Sequence, residues 1–240
     1  MCGRFFLSRL VERVADDFGA VVADALASNP DDPHNPARPR YNIAPTQPVL
    51  AVRRREEIRQ LTPLRWGLIP RWARDASIGS RLINARSETA FEKPAFRDAM
   101  RARRCLVPAD GFYEWKRRAG SKRPMAIHRA DGRLLAMGGI WESWTDPEGG
   151  DAVESLSVLT CAPNTLMATI HDRMPVLLEP EQWDAWLSPA TDPGEIARML
   201  APAPDGVLQA YPVSSRVNSP RVDDPSLIEP IEDTPDTLFG

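Results

Sequence analysis

The chain has 240 residues, of which 42% are apolar and 26% are charged, and its formal net charge is -3. These values are typical of a soluble globular protein with a single domain. No apolar run is long enough for a membrane span or a signal peptide, so we expect a cytoplasmic protein without membrane contact. The three cysteines, Cys2, Cys105 and Cys161, have no metal-ligand spacing, so we predict neither disulfides nor a metal site.

Charge is distributed unevenly along the chain. Residues 51–123 hold 19 Lys and Arg against 8 Asp and Glu, whereas residues 142–240 hold 4 against 18. A basic surface formed by the first stretch would attract a polyanion despite the acidic total, because the local field depends on clustering. Alternatively, the two stretches neutralise each other, and the charges alone do not decide between these possibilities.

The N-terminal part of the chain is predicted to be helical and then irregular. Apolar side chains recur at helical spacing over residues 9–27, which predicts an amphipathic helix. A proline-rich loop follows and ends in the segment YNIAP, residues 41–45. Cys105 and Cys161 lie farther along, in apolar strand-like segments, where we expect buried thiols that act as small hydrophobic side chains.

From residue 48 onward, short segments with strand character dominate the sequence. Helical pieces interrupt them near residues 87–101, 163–170, 180–187 and 194–200. We therefore predict an α+β fold that is mainly antiparallel β, with a partly closed barrel-like sheet and peripheral helices. Residues 1–217 are expected to form a single domain, followed by an acidic, loosely held C-terminal tail over residues 218–240.

The segment MCGRF places Cys2 directly after Met1. Removal of Met1, which is expected before a small side chain, would leave Cys2 with a free α-amine beside its thiol. An α-amine has an ordinary pKa of about 7.7–8.0 and a thiol one of about 8.5, so part of each is reactive near neutral pH. An internal cysteine cannot offer this pair of nucleophiles.

Three further segments carry ionisable or polar side chains that are suited to chemistry. Asn84 and Arg86 flank Ala85, and Glu114 lies between two aromatic residues that would shield a proton-transferring carboxyl from water. His171 stands before Asp172 and Arg173, a setting in which an imidazole can be oriented. Taken singly, the first segment also fits a surface turn, and Glu114 also fits the solvent-facing position of an alternating strand.

Six motifs occur in a fixed order: MCGRF, YNIAPTQ, WGLIPRWA, INARSETA, CLVPADGFYEWK and HDRMPVLL. Together they resemble the SRAP family of abasic-site shielding proteins, over residues 2 to about 215. The resemblance implies a covalent crosslink between Cys2 and an abasic site in single-stranded DNA, as part of a DNA damage response. It implies no cofactor and no metal, and we expect a monomer.

The resemblance also implies roles for individual residues. Glu114 would act as general acid and base, Asn84 would hold the N-terminal segment and the sugar, and His171 would handle hydroxyl and Schiff-base protons. Arginines would contact phosphates, and a proline with two tryptophans would form a wedge that stacks on bases. The residues implied to contact DNA are Arg4, Pro45, Trp66, Trp72, Arg86 and Arg173.

Three other functions are compatible with an N-terminal cysteine. A glutamine amidotransferase with an N-terminal nucleophile also begins Met-Cys-Gly, but its glutamine-binding motifs are not found here. An autopeptidase would cleave its own N-terminus, and this activity, like a β-elimination lyase activity, is compatible with crosslinking. The third alternative is a non-catalytic single-strand binder in which Cys2 is incidental.

Overall fold

The computed structural model describes residues 2–27, 34–118 and 120–232. Most of the chain in these ranges forms β-strands joined by short helices and turns. The strands are β1 (Phe5–Leu7), β2 (Val21–Val22), β3 (Arg40–Ile43), β4 (Pro48–Arg55), β5 (Ile58–Trp66), β6 (Asn84–Arg86), β7 (Arg104–Ala109), β8 (Gly111–Arg118), β9 (Ser121–Arg129), β10 (Leu135–Trp144), β11 (Val153–Cys161), β12 (Met174–Pro175) and β13 (Leu208–Pro212).

The helices are short. The α-helices are α1 (Val11–Phe18), α2 (Arg97–Ala102), α3 (Thr165–Ala168), α4 (Trp183–Leu187) and α5 (Pro193–Arg198). Short 3-10 helices occur at Asp24–Ala27, Ala76–Arg81, Pro180–Gln182, Ser215–Asn218 and Pro225–Ile228. None of the helices in the described ranges has the length and apolar character needed to span a membrane.

Two sheets form the body of the protein. One has the strand order β13-β9-β8-β1-β3, and the other runs β12-β11-β10-β7-β4-β5-β2 with β6 attached to β11. In the second sheet β11 also pairs with β5 in parallel, which closes the circuit β11-β10-β7-β4-β5 into a ring. Most other pairings are antiparallel, so the predicted α+β fold with a barrel-like sheet is confirmed.

The N-terminal helix is shorter than the apolar spacing predicts. Helix α1 buries Val14 and Phe18 and ends at Gly19, whose φ of 56° is the left-handed conformation that terminates helices. The chain then turns, and β2 pairs in parallel with β5 instead of continuing the helix. The prediction of one helix over residues 9–27 is therefore wrong, because Val21 and Val22 pair with the sheet and Asp24–Ala27 forms a separate 3-10 helix.

The C-terminal segment packs against the body of the protein as far as residue 232. Leu227 and Val217 are fully buried in a cluster with Tyr113 of β8. The carboxylate of Asp223 accepts from Arg40 at 2.7 Å and forms an ion pair with it. The expected loose tail is thus wrong for residues 218–232, because apolar and ionic contacts fix them; residues 233–240 lie outside the described residues.

Candidate active site

Cys2 lies three residues before the start of β1, the strand that runs between β3 and β8. The backbone N–H of Tyr113 donates to the carbonyl of Arg4 at 2.9 Å, which extends the pairing of β1 with β8 towards the N-terminus. Cys2 is 1% exposed, and Glu114, the next residue of β8, is 3% exposed. Strand pairing thus brings the N-terminal thiol and the Glu114 carboxyl into one buried region.

Asn84 reaches the same region from the other sheet. Strand β6 pairs in parallel with β11, with Asn84 opposite Val158 and Arg86 opposite Thr160. Because side chains alternate along a strand, Ala85 is buried while Asn84 and Arg86 share the opposite face. The Asn84 amide Nδ2 donates to the backbone carbonyl of Cys2 at 2.8 Å, so Asn84 holds the N-terminal segment in place.

The electrostatics of the Cys2 thiol are unusual. Burial raises the pKa of Cys2 to about 12, and the negative charge of Glu114 acts in the same direction. The positive charge of the N-terminus and a backbone hydrogen bond from Arg4 lower the pKa, but both effects are smaller. The thiol is therefore protonated at neutral pH while it is buried beside Glu114, so the expectation of a partly ionised thiol, based on its ordinary pKa, is wrong for the buried state.

His171 follows α3, and its backbone N–H donates to the carbonyl of Met167 at 2.7 Å. Its Nδ1 lies 3.0 Å from the backbone N–H of Arg173 and 2.9 Å from a carboxylate oxygen of Asp172. His171 lines a pocket of about 530 Å³ together with Trp115, the residue that follows Glu114. Glu114 does not line this pocket, because consecutive side chains of β8 point to opposite faces.

The side chain of Arg4 takes part in a hydrogen-bond network that supports the N-terminal segment. Its guanidinium donates to Asn42 Oδ1 at 2.7 Å and to the carbonyl of Val217 at 2.9 Å. Asn42 is fully buried and donates through Nδ2 to the carbonyls of Ser219 at 2.9 Å and Val222 at 2.7 Å. This network fastens the chain beside the N-terminal segment to the C-terminal segment.

A comparison with known families identifies the chain. The family model described as SOS response associated peptidase (SRAP) matches residues 1–220. The chain belongs to the SRAP family. It is 42% identical over 231 residues to the abasic site processing protein YoqW of Bacillus subtilis strain 168, an alignment that covers 95% of this chain and 99% of YoqW.

Two further SRAP comparisons agree with this assignment. The abasic site processing protein YedK of Escherichia coli K12 is 34% identical over 234 residues, which cover 96% of this chain and 100% of YedK. A crystal structure of a protein from Bacteroides thetaiotaomicron is 28% identical, with a TM-score of 0.86, and covers 96% of this chain and 100% of its own. The SRAP fold therefore extends over nearly the whole chain.

The two tryptophans implied to stack on DNA bases occupy different environments in this SRAP protein. Trp66 is fully buried, packs against Phe5 with ring centroids 5.1 Å apart, and donates from Nε1 to the Ile83 carbonyl at 2.9 Å. It is a core residue, so its implied contact with DNA is wrong. Trp72 is 60% exposed and remains available for stacking. Pro45, half-buried before Thr46, also retains a surface.

The two arginines implied to bind phosphate also differ. Arg86 is exposed at the end of β6. The guanidinium of Arg173 is bound to both carboxylate oxygens of Glu88, at 2.5 and 2.8 Å, and also donates to the Thr160 carbonyl at 2.5 Å. A phosphate can therefore reach this face of Arg173 only by exchanging with Glu88, a partner that the sequence analysis did not anticipate.

The charged halves of the chain meet in several ion pairs. Arg53 binds both carboxylate oxygens of Glu154 at 2.7 Å, and Glu142 accepts from Arg71 and Arg103 at 2.8 and 2.7 Å. Part of the basic excess is thus neutralised by the acidic stretch, as the alternative interpretation predicted. Cys105 and Cys161 are buried, as predicted. Among the described residues, no group of three or more His, Cys, Asp and Glu could hold a metal ion.

Sequence reasoning missed two residues that organise the site. Asn42 connects Arg4 to the C-terminal segment, and Glu88 occupies Arg173. Both lie within the motifs YNIAPTQ and INARSETA, which could have drawn attention to them. Arg173 lies 85 residues from Glu88, and the C-terminal carbonyls that Asn42 contacts lie at least 175 residues from it, which local patterns do not reveal.

Proposed function

We propose that this protein processes abasic sites by forming a covalent thiazolidine crosslink between Cys2 and the ring-opened sugar in single-stranded DNA. The observation that carries the proposal is the position of Cys2. It is held by Asn84 and lies beside Glu114, in a chain that belongs to the SRAP family. The curated relatives YoqW and YedK are named abasic site processing proteins, which supports the same substrate.

The chemistry requires both nucleophiles of an N-terminal cysteine. Once Met1 has been removed, the α-amine of Cys2 attacks the sugar aldehyde, and loss of one water gives an imine. The thiol sulfur then adds to the imine carbon, and the thiol proton passes to the nitrogen. The resulting ring carries nitrogen and sulfur on the same carbon and resists hydrolysis better than the imine.

The neighbouring side chains are assigned to positioning and proton transfer. Glu114 accepts the proton of the attacking amine and returns a proton when water leaves, so its buried place beside Cys2 is a requirement of the proposal. Asn84 fixes the backbone of Cys2, which restricts the direction of attack. His171, which lines the adjoining pocket, would exchange protons with the sugar hydroxyls and the Schiff base.

We assign the contacts with the DNA strand to exposed residues around this region. Arg86 lies on the same face of β6 as Asn84 and would contact a phosphate beside the lesion. Trp72 and Pro45 would stack on bases and separate them. Arg173 would bind a second phosphate after exchange with Glu88, and Arg4 would act as a positioning residue for the N-terminal segment.

The protein would act as a monomer in the cytoplasm and associate with the nucleoid when bound to DNA. A reducing compartment keeps the Cys2 thiol free for ring closure. β-Elimination at the lesion is a side activity that the Cys2 amine and the Glu114 carboxyl would allow through the imine. Release of Met1 by self-cleavage would have to use the Cys2 thiol, because the Cys2 nitrogen is an amide until Met1 has left.

Denaturing electrophoresis with an oligonucleotide that carries one abasic site tests this proposal. We expect a heat-stable shifted band with the wild type and none with Cys2→Ala. Glutaminase activity without the band would instead support an amidotransferase. Reversible binding that Cys2→Ala leaves unchanged, again without the band, would support a simple single-strand binder.

A further inference from the structure

Arg86 and Arg173, the two arginines assigned to phosphates, are held at the same end of β11. Thr160 of β11 pairs with Arg86 of β6 and with Pro175 of β12, and Arg173 directly precedes β12. The carbonyl of Thr160 accepts from the backbone N–H of Ser87 at 2.9 Å and from the Arg173 guanidinium at 2.5 Å. Both arginine-bearing segments are therefore fixed to one point of the sheet.

The carboxylate of Glu88 occupies the edge of Arg173 that a phosphate would need. Nη1 and Nη2 of Arg173 donate to its two oxygens at 2.5 and 2.8 Å, and Nη2 also donates to the Thr160 carbonyl. Nε of Arg173 is buried and has no hydrogen-bond partner in the described part of the chain. A bidentate phosphate needs two neighbouring N–H groups, so it cannot bind Arg173 in this way while Glu88 is in place.

Glu88 is both charged and able to leave. The hydrogen bonds from Arg173 hold the pKa of Glu88 below its ordinary value, and the positive charge of Arg86 makes a smaller contribution in the same direction. The Glu88 side chain is 51% exposed, whereas that of Arg173 is 15% exposed. Water screens such a pair and would rehydrate the released carboxylate, so the exchange costs little. The Thr160 carbonyl would keep the guanidinium in position meanwhile.

We propose that Glu88 takes the place of a DNA phosphate on Arg173 in the free protein and is displaced by a phosphate when single-stranded DNA binds. This inference rests on the proposed function and identifies a residue that sets the affinity for the strand. Breaking the Glu88–Arg173 pair reduces the net binding free energy, and the released carboxylate repels the phosphates beside it. Binding without the crosslink is thereby kept weak, so lasting attachment depends on the reaction of Cys2.

Binding is best measured in a Cys2→Ala parent, which cannot form the crosslink. The probe is a fluorescent single-stranded oligonucleotide with one abasic site, followed by anisotropy over a salt series. We expect Glu88→Gln to tighten binding about two- to fivefold and to steepen the salt slope by at most about 0.7, because one competing negative charge is removed. Glu92→Gln, at an exposed position on the same segment, makes the same change in net charge and should have little effect.

An Arg173→Ala background distinguishes the exchange from a general effect of charge. Glu88 has no guanidinium to occupy there, so we expect Glu88→Gln to change the affinity by less than about 1.5-fold. An equal gain of affinity with and without Arg173 would contradict the exchange. A loss of affinity in Glu88→Gln alone would also contradict it, because Glu88 would then support Arg173 in binding DNA instead of competing with the strand.

Two negative results separate the inference from the function on which it rests. If the parent binds the oligonucleotide and Glu88→Gln matches it in affinity and salt slope, the role of Glu88 is overturned. If the parent shows no binding and the wild type forms no crosslink, the proposed function is overturned instead.

Discussion

At the scale of single residues, the negative charge of Glu114 disfavours ionisation of the Cys2 thiol. Burial raises the pKa of the Cys2 thiol to about 12, and the Glu114 charge contributes to this rise. Removing that charge leaves burial as the main cause, so the pKa falls but stays above its ordinary value. The thiol is protonated below its pKa, and a lower pKa means a larger thiolate fraction at neutral pH.

Glu114→Gln should therefore change two rates in opposite directions. Crosslinking is expected to slow by about 10²–10⁴-fold because general acid and base assistance is lost, while affinity for intact single-stranded DNA is retained. Alkylation of Cys2 by iodoacetamide should become faster, because more thiolate is present. A crosslinking rate equal to that of the wild type would remove Glu114 from the mechanism.

Arg86 provides a residue-scale test of the DNA contact, because its exposed side chain is not needed for packing. Arg86→Ala is expected to weaken binding and to reduce the slope of log K against log salt by about 0.7, the contribution of one phosphate contact on a single strand. Unfolding should be unaffected. An unchanged slope would show that Arg86 meets no phosphate.

At the scale of elements, the segment that follows β5 places Trp72 on the surface, whereas Trp66 at the end of β5 lies in the core. Gly67 has a φ of 130° and packs so tightly against Gly79 that an added Cβ would lie 2.6 Å from the Gly79 carbonyl oxygen. This close approach folds the segment back, and Trp144 Nε1 donates to the Ala73 carbonyl at 2.7 Å. Trp72 is thereby presented outwards.

Substitution of the two tryptophans should separate stability from binding. Trp66→Ala removes a fully buried ring and is expected to reduce the free energy of unfolding by about 3–5 kcal/mol. Trp72→Ala should leave stability nearly unchanged and weaken single-strand binding by about 1–3 kcal/mol, the value of one base stack. Denaturant titrations and anisotropy measure the two effects. Equal DNA affinity for Trp72→Ala and the wild type would exclude stacking.

The elements that could be predicted from sequence are those whose signal is local. Segments such as GFYEWKR and ESLSVLTC alternate or cluster apolar side chains and form β8 and β11 as expected. The extent of the N-terminal helix could not be predicted, because the pairing of β2 with β5 competes with helix formation after Gly19. Likewise, nothing local distinguishes Trp66 from Trp72, since only the closed sheet decides which ring is buried.

At the scale of the whole molecule, the C-terminal segment stabilises the N-terminal site from a distance. Leu227 is fully buried, and the carbonyls of residues 217, 219 and 222 accept hydrogen bonds from Asn42. The acidic, proline-containing composition of the C-terminal segment predicted a loosely held tail. Composition alone does not show which few apolar side chains become buried. The position of Glu88 on Arg173 is a similar long-range feature.

Leu227→Ala tests this connection. We expect the free energy of unfolding to fall by about 2–5 kcal/mol, because a large buried side chain is lost. A substitution in a loosely held tail would instead change it by less than about 0.5 kcal/mol. Urea denaturation of the full chain distinguishes the two results, with the exposed Ile231→Ala as the control.

The chemistry at Cys2 is tested most directly by the intact mass of the purified protein–oligonucleotide adduct. A thiazolidine requires the mass of the chain without Met1 plus the mass of the oligonucleotide, less one water, and it requires that borohydride leave this mass unchanged. An adduct that retains Met1, or one that borohydride reduces as an imine, would contradict the joint use of the Cys2 amine and thiol.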